Sequence, residues 1–105
     1  MKRQPQTLMA ASLTLALQTA HADNESGRGI FTEVAQPSCT ICHTLADAGA
    51  SGSIGPNLDE LRPNRDQVIR AVTSGVGVMP AFEESLTESQ IQAVADYVVS
   101  VTSAK

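Results

Sequence analysis

The sequence predicts a small all-α domain that cannot fill its own core. Three observations lead there. Apolar residues recur at helical spacing in three separate stretches, and no stretch alternates with period two for long enough to build a sheet. The whole chain also offers only two phenylalanines, one tyrosine and no tryptophan. A domain this short is marginal on apolar side chains alone and commonly depends on a disulfide, a metal or a cofactor.

The first element is a leader. Lys2 and Arg3 make a short positive start, Leu8 to Leu17 is mostly apolar, and Ala20-His21-Ala22 is a small-x-small triplet. That is the layout of a secretory signal peptide, and the apolar run is well short of the ~20 residues a spanning helix needs. The expectation is cleavage after Ala22, leaving residues 23–105 as one periplasmic domain with no membrane insertion.

The second element is a helix over roughly Ser26 to Ala35, with Ile30, Phe31 and Val34 at helical spacing and Pro37 marking its end. Another helix follows Pro63: Asn64 caps it, Gln67 stands three residues later, Val68, Ile69 and Val72 form the apolar stripe, and Gly75 stops it. The last begins at Thr87, with Gln90 completing a capping box, and carries Ile91, Val94, Ala95, Val98 and Val101 on one face. Between these helices lie loops over residues 44–61, containing GPNL from Gly55, and 75–86, containing GVGVMPAF.

Charge excludes some functions. The formal net charge is −4, and export would remove Lys2 and Arg3 while all 11 acids remain. Nucleic acid and anionic membrane surfaces are therefore poor partners.

The chemistry concentrates at CTICH, which starts at Cys39. A disulfide between Cys39 and Cys42 would close too small a loop to stabilise much on the chain-entropy account. A thioredoxin-like redox pair would call for a βαβ pattern, which is missing. Structural zinc wants four ligands, and the exported chain has two cysteines and one histidine, His43. C-x-x-C-H fits covalent attachment of a c-type haem, with two thiols for two vinyl groups and an imidazole against one face of the iron. After export the one remaining methionine is Met79, in a Gly- and Pro-punctuated loop. Core filler is the ordinary use of such a residue; a sixth ligand is the other, and His/Met pairing belongs to electron-transfer cytochromes.

CTICH, GPNL, GVGVMPAF and a C-terminal amphipathic helix with Tyr97, in that order, make the exported chain resemble a class I c-type cytochrome. The resemblance implies a small cytochrome c fold of three to five helices wrapped around one haem c. It also implies that Pro56 offers its carbonyl to the non-ligating nitrogen of His43, that Leu58 packs on the porphyrin, and that Gly27 and Phe31 cross Val94 and Tyr97. Two departures stand out. The segment TEVAQPS is longer than in common members, so the entering helix should break at Pro37. No tryptophan is present to meet a haem propionate, which leaves Arg62, Arg65 and Arg70 as bases for that role.

These readings describe a one-haem electron carrier, not an enzyme, since Asp59-Glu60 and Glu83-Glu84 read as surface charge rather than an acid/base pair. The alternative is a haem sensor or small peroxidase-like protein whose sixth iron position is open or labile. The stretch from Phe31 to Leu61 is similar to the small cytochrome subunits of periplasmic molybdenum-dependent sulfite dehydrogenases. That implies a sulfite dehydrogenase catalytic subunit as donor and another cytochrome or an oxidase as acceptor. Asp47, Glu83 and Glu84 are expected to give the haem edge a negative rim, Val76, Val78 and Ala81 its dry centre, and the partner a basic rim.

Overall fold

The computed structural model describes residues 2–5 and 18–103. The apolar run of the expected leader, Leu8 to Leu17, lies outside the described residues. The rest bears out the all-α class, with five helices: α1 (Gln18–Gly29), α2 (Cys39–Cys42), α3 (Leu58–Leu61), α4 (Arg65–Ser74) and α5 (Glu88–Thr102). No helix among the described residues is long and apolar enough to cross a membrane.

α1 starts earlier than the apolar spacing indicated, at Gln18 instead of Ser26. Spacing reveals only the part of a helix that packs, and extending an existing helix outward is far easier than nucleating one. Its C-terminal end widens into a π turn over Ile30–Val34, and Ala35 is already extended, so the break falls just before Pro37 as expected. Phe31 and Ile30 on that turn are buried. Ser38 then ties the break together. Its Oγ donates toward the carbonyls of Phe31 and Thr32 at 3.2 and 3.1 Å and accepts from the N–H of Thr40 at 3.3 Å, capping α2.

α4 and α5 have the bounds and caps read from the sequence. Asn64 Oδ1 accepts from the Gln67 N–H at 2.8 Å, and Gly75, at φ 75°, ends α4. At α5 the capping box closes in both directions: Gln90 N–H donates to Thr87 Oγ1 at 3.1 Å and Thr87 N–H to Gln90 Oε1 at 2.9 Å. α1 crosses α5, and α4 packs along α5. At the first crossing Gly27 leaves no room for a β-carbon, which would overlap the Ala93 carbonyl and Tyr97 Cβ. Phe31 meets Tyr97 edge-on beside it, with ring centroids 6.1 Å apart.

Three small elements escaped the sequence reading, the one-turn α2 among them. Thr44–Leu45 (β1) pairs antiparallel with Ala50–Ser51 (β2) around a 3-10 turn, with Leu45 opposite Ala50. Two residues per strand are too few for a period to show. α3 was missed although its signal is present, since Asn57 caps it and Glu60 follows three residues later. Its four residues fall below the length at which apolar spacing is legible.

Candidate functional site

One cavity of about 610 Å³ opens between α2, α3, α4 and the loop 75–82, a size that suits a cofactor-scale ligand (~300–1000 Å³). Cys39, Cys42 and His43 line it from one stretch of chain, Pro56 and Leu58 from a second, and Met79 from a third. All six residues singled out in the sequence meet in this single space.

The first group is fixed by short-range backbone contacts. α2 is one turn long, so the two thiols lie three residues apart on its surface, and the His43 N–H closes the turn on the Cys39 carbonyl at 3.0 Å. No disulfide joins the two cysteines. Burial pushes the Cys39 thiol up to about 11, with the charge of Cys42 adding to the rise and a backbone hydrogen bond opposing it. A thiol held protonated is a poor redox nucleophile, which argues against a thioredoxin-like pair.

His43 is oriented by the next stretch. Its Nδ1 lies 2.7 Å from the Pro56 carbonyl oxygen. A carbonyl can only accept, so Nδ1 carries the proton and Nε2 keeps a free lone pair, which is how proteins present imidazole to a metal. The glycine before that proline is there for space. A β-carbon on Gly55 would sit 2.8 Å from His43 Cε1, and the Gly55 N–H is itself anchored on the Cys42 carbonyl at 2.7 Å. Gly52 presses equally closely on the backbone of Ile41 and Cys42. Leu58 is buried at the start of α3 and lines the cavity.

Met79 is held by a tight turn. Val76 and Met79 exchange backbone hydrogen bonds at 3.1 and 2.9 Å around Gly77 (φ 56°), and the Phe82 N–H ties the far end to Val72 of α4 at 2.8 Å. Met79 is half-buried against the core while lining the cavity. It stands where a thioether can face inward.

The acids expected at the rim are not part of the cavity wall. Neither Asp47 nor Glu83 nor Glu84 lines the cavity. Asp47 accepts from the Tyr97 hydroxyl at 2.6 Å, and Glu83 borders a separate groove with Ile69 and Ile91 between α4 and α5. Sequence adjacency to His43 and Met79 suggested otherwise, but Asp47 sits on the 3-10 turn between β1 and β2, and Glu83 lies beyond the Val76–Met79 turn. What lines the mouth is apolar: Ile54, Leu61, Val76 and Val78, the last 87 % exposed.

Comparison with known proteins agrees with this geometry. Residues 22–98 match the family model described as cytochrome c oxidase, cbb3-type, subunit III. Cytochrome c6 of Bumilleriopsis filiformis is 38 % identical over 87 residues, which span 75 % of this chain and 92 % of the relative. The chain is a class I c-type cytochrome. As such it carries covalently bound haem c, and it is an electron carrier rather than an enzyme. Cytochrome c6 of Leptolyngbya boryana is 33 % identical over 82 residues, covering 74 % of this cytochrome and 92 % of the relative. The crystal structure of the c-type cytochrome SorU from Sinorhizobium meliloti superposes with a TM-score of 0.75 at 52 % identity, covering 78 % of this cytochrome and 93 % of SorU. The residues present fit the haem: two thiols and an oriented imidazole on one side of an apolar cavity, and a thioether lining the same space.

Proposed function

We propose that this cytochrome is an exported carrier with His43 and Met79 as axial ligands and Cys39 and Cys42 as its thioether attachment points. It would pass electrons from a periplasmic sulfite dehydrogenase to a further cytochrome or an oxidase. The observation that carries the ligation is the meeting of all four residues in one cavity, with Nε2 of His43 left free by the 2.7 Å bond from Nδ1 to Pro56. When bound, haem iron supplies the chemistry by cycling between Fe(III) and Fe(II).

The chain's part is to position and to exclude water. Pro56 keeps the imidazole in one tautomer and raises its basicity. The soft sulfur of Met79 favours Fe(II) and so raises the potential. Leu58, Val68 and Val72 keep the interior dry, which limits how much solvent must reorganise as charge moves. The apolar lip of Ile54, Leu61, Val76 and Val78 suits a partner that docks there by excluding water.

Export rests on the leader pattern in residues 1–22, with residues 23–105 as the cytochrome domain of the periplasm. The sulfite dehydrogenase donor rests on the similarity of residues 31–61 to the small cytochrome subunits of those enzymes. Acid acetone tests the attachment: the pigment should stay with the polypeptide, and a freely extracted pigment would refute it. Mixing the purified cytochrome with sulfite and a sulfite dehydrogenase catalytic subunit tests the donor. Prompt reduction is expected, and none would discard that partner.

A further inference from the structure

The bond from His43 Nδ1 to the Pro56 carbonyl crosses between two stretches of chain, and it is one of three that do so in step. On one side of it the Gly55 N–H donates to the Cys42 carbonyl at 2.7 Å, and on the other the Ala46 N–H donates to Asp59 Oδ2 at 2.8 Å. All three bonds join residues thirteen apart. Segments 42–46 and 55–59 therefore run side by side in one register, with the imidazole as the middle rung.

Pro56 has no N–H with which to hold its own place, so its carbonyl is aimed by its neighbours. Upstream, the Gly55 amide does this. Downstream, α3 packs against β1, but apolar packing is non-directional and lets one element slide along another. Asp59 makes the one hydrogen bond among the described residues that joins α3 to β1 or to the turn after it. A carboxylate acceptor makes that bond stronger than a neutral one would be. We propose that Asp59 is a positioning residue for the axial histidine: by gripping the Ala46 N–H it holds the Pro56 carbonyl in line with Nδ1 and so keeps the imidazole basic. This rests on the haem-site reading above.

The test is the reduction potential of wild type, D59A, D59N, A46P and Y97F, with exchange of the His43 Nδ1 proton followed by NMR. Each protein is first checked for pigment that stays with the polypeptide; a wild type without it would refute the haem-site reading rather than the role of Asp59. D59A should raise the potential, since an imidazole released from its acceptor favours Fe(III) less. It should also speed Nδ1 exchange by about tenfold. Removing a negative charge raises the potential by itself, and two variants separate the causes. D59N is neutral yet keeps an acceptor for Ala46, so it should stay near wild type. A46P removes the donor and leaves the carboxylate charged, so it should match D59A. Proline fits there, because Ala46 opens the 3-10 turn and Leu45 before it is extended at φ −153° and ψ 107°. Y97F frees the other fastening of the same turn and should keep the wild-type potential and exchange rate. A D59N shift equal to that of D59A, or a wild-type potential in A46P, overturns the proposal. A Y97F shift as large as that of D59A would assign the effect to general loosening and overturn it too. If D59A fails to accumulate, A46P and D59N decide by the same criteria.

Discussion

The hydroxyl of Tyr97 donates to Oδ2 of Asp47 at 2.6 Å, joining two residues fifty apart in the chain. It fastens the turn just beyond His43 to the last helix. That turn is held from a second side as well, because the Ala46 N–H donates to Asp59 Oδ2 at 2.8 Å. The loop leaving the haem site is thus pinned to both α3 and α5.

Tyr97→Phe removes this bond and leaves the ring packing intact. Asp47 is exposed and regains water, so the expected loss is about 1 kcal/mol, the ordinary net value of a hydrogen bond. Burial, reinforced by the bond to Asp47, raises the Tyr97 hydroxyl above its ordinary 10.0. A group raised in the folded state stabilises below its unfolded value and loses that contribution as pH rises past it. Urea unfolding of wild type should therefore weaken above pH 10.0, and the gap between wild type and the variant should narrow there. A constant gap would show that the hydroxyl does not titrate differently on folding.

Gly55→Ala should leave the haem attached while disturbing its histidine. The new β-carbon would sit 2.8 Å from Cε1 and 3.1 Å from Nδ1 of His43, so the ring must move off the Pro56 carbonyl. A less basic imidazole favours Fe(III) less, and the potential should rise. An unchanged potential would mean that the loop yields instead of the ring.

Met79→His should abolish the weak long-wavelength band of the sulfur-to-iron transition and lower the potential, because imidazole favours Fe(III) more than thioether does. The turn around Gly77 and the Val76–Met79 backbone pair do not depend on the side chain, so the loop should keep its shape. A spectrum identical to wild type would remove Met79 from the iron and favour the sensor reading.

Reduction by the partner should depend only weakly on ionic strength. The acids expected at the rim do not line the cavity, whose exposed lip is apolar and whose lining contains no carboxylate. Salt acts on encounter through rim charge, and here little is aimed at the contact. Stopped-flow reduction over a range of salt concentrations measures it. A steep decline with salt would place the contact among the acids instead.

The sequence by itself determined the chemistry and most of the scaffold. CTICH carries its meaning in consecutive residues, so no fold is needed to recognise it. The caps at Asn64, Gly75 and Thr87 are local backbone accounting: α4 begins and ends, and α5 begins, where those residues predicted. Only the tertiary structure decided which distant side chains share a space. It brought Met79 and Pro56 into the cavity with His43, turned Asp47 toward Tyr97 and Glu83 toward another groove, and chose Arg70 over Arg62 and Arg65 for the wall. Periodicity and capping are set over a few residues by backbone geometry. The direction a loop side chain takes depends instead on turns such as the one at Gly77 and on helix crossings such as Gly27 against Tyr97, where contacts from remote parts of the chain select among orientations the local sequence leaves open.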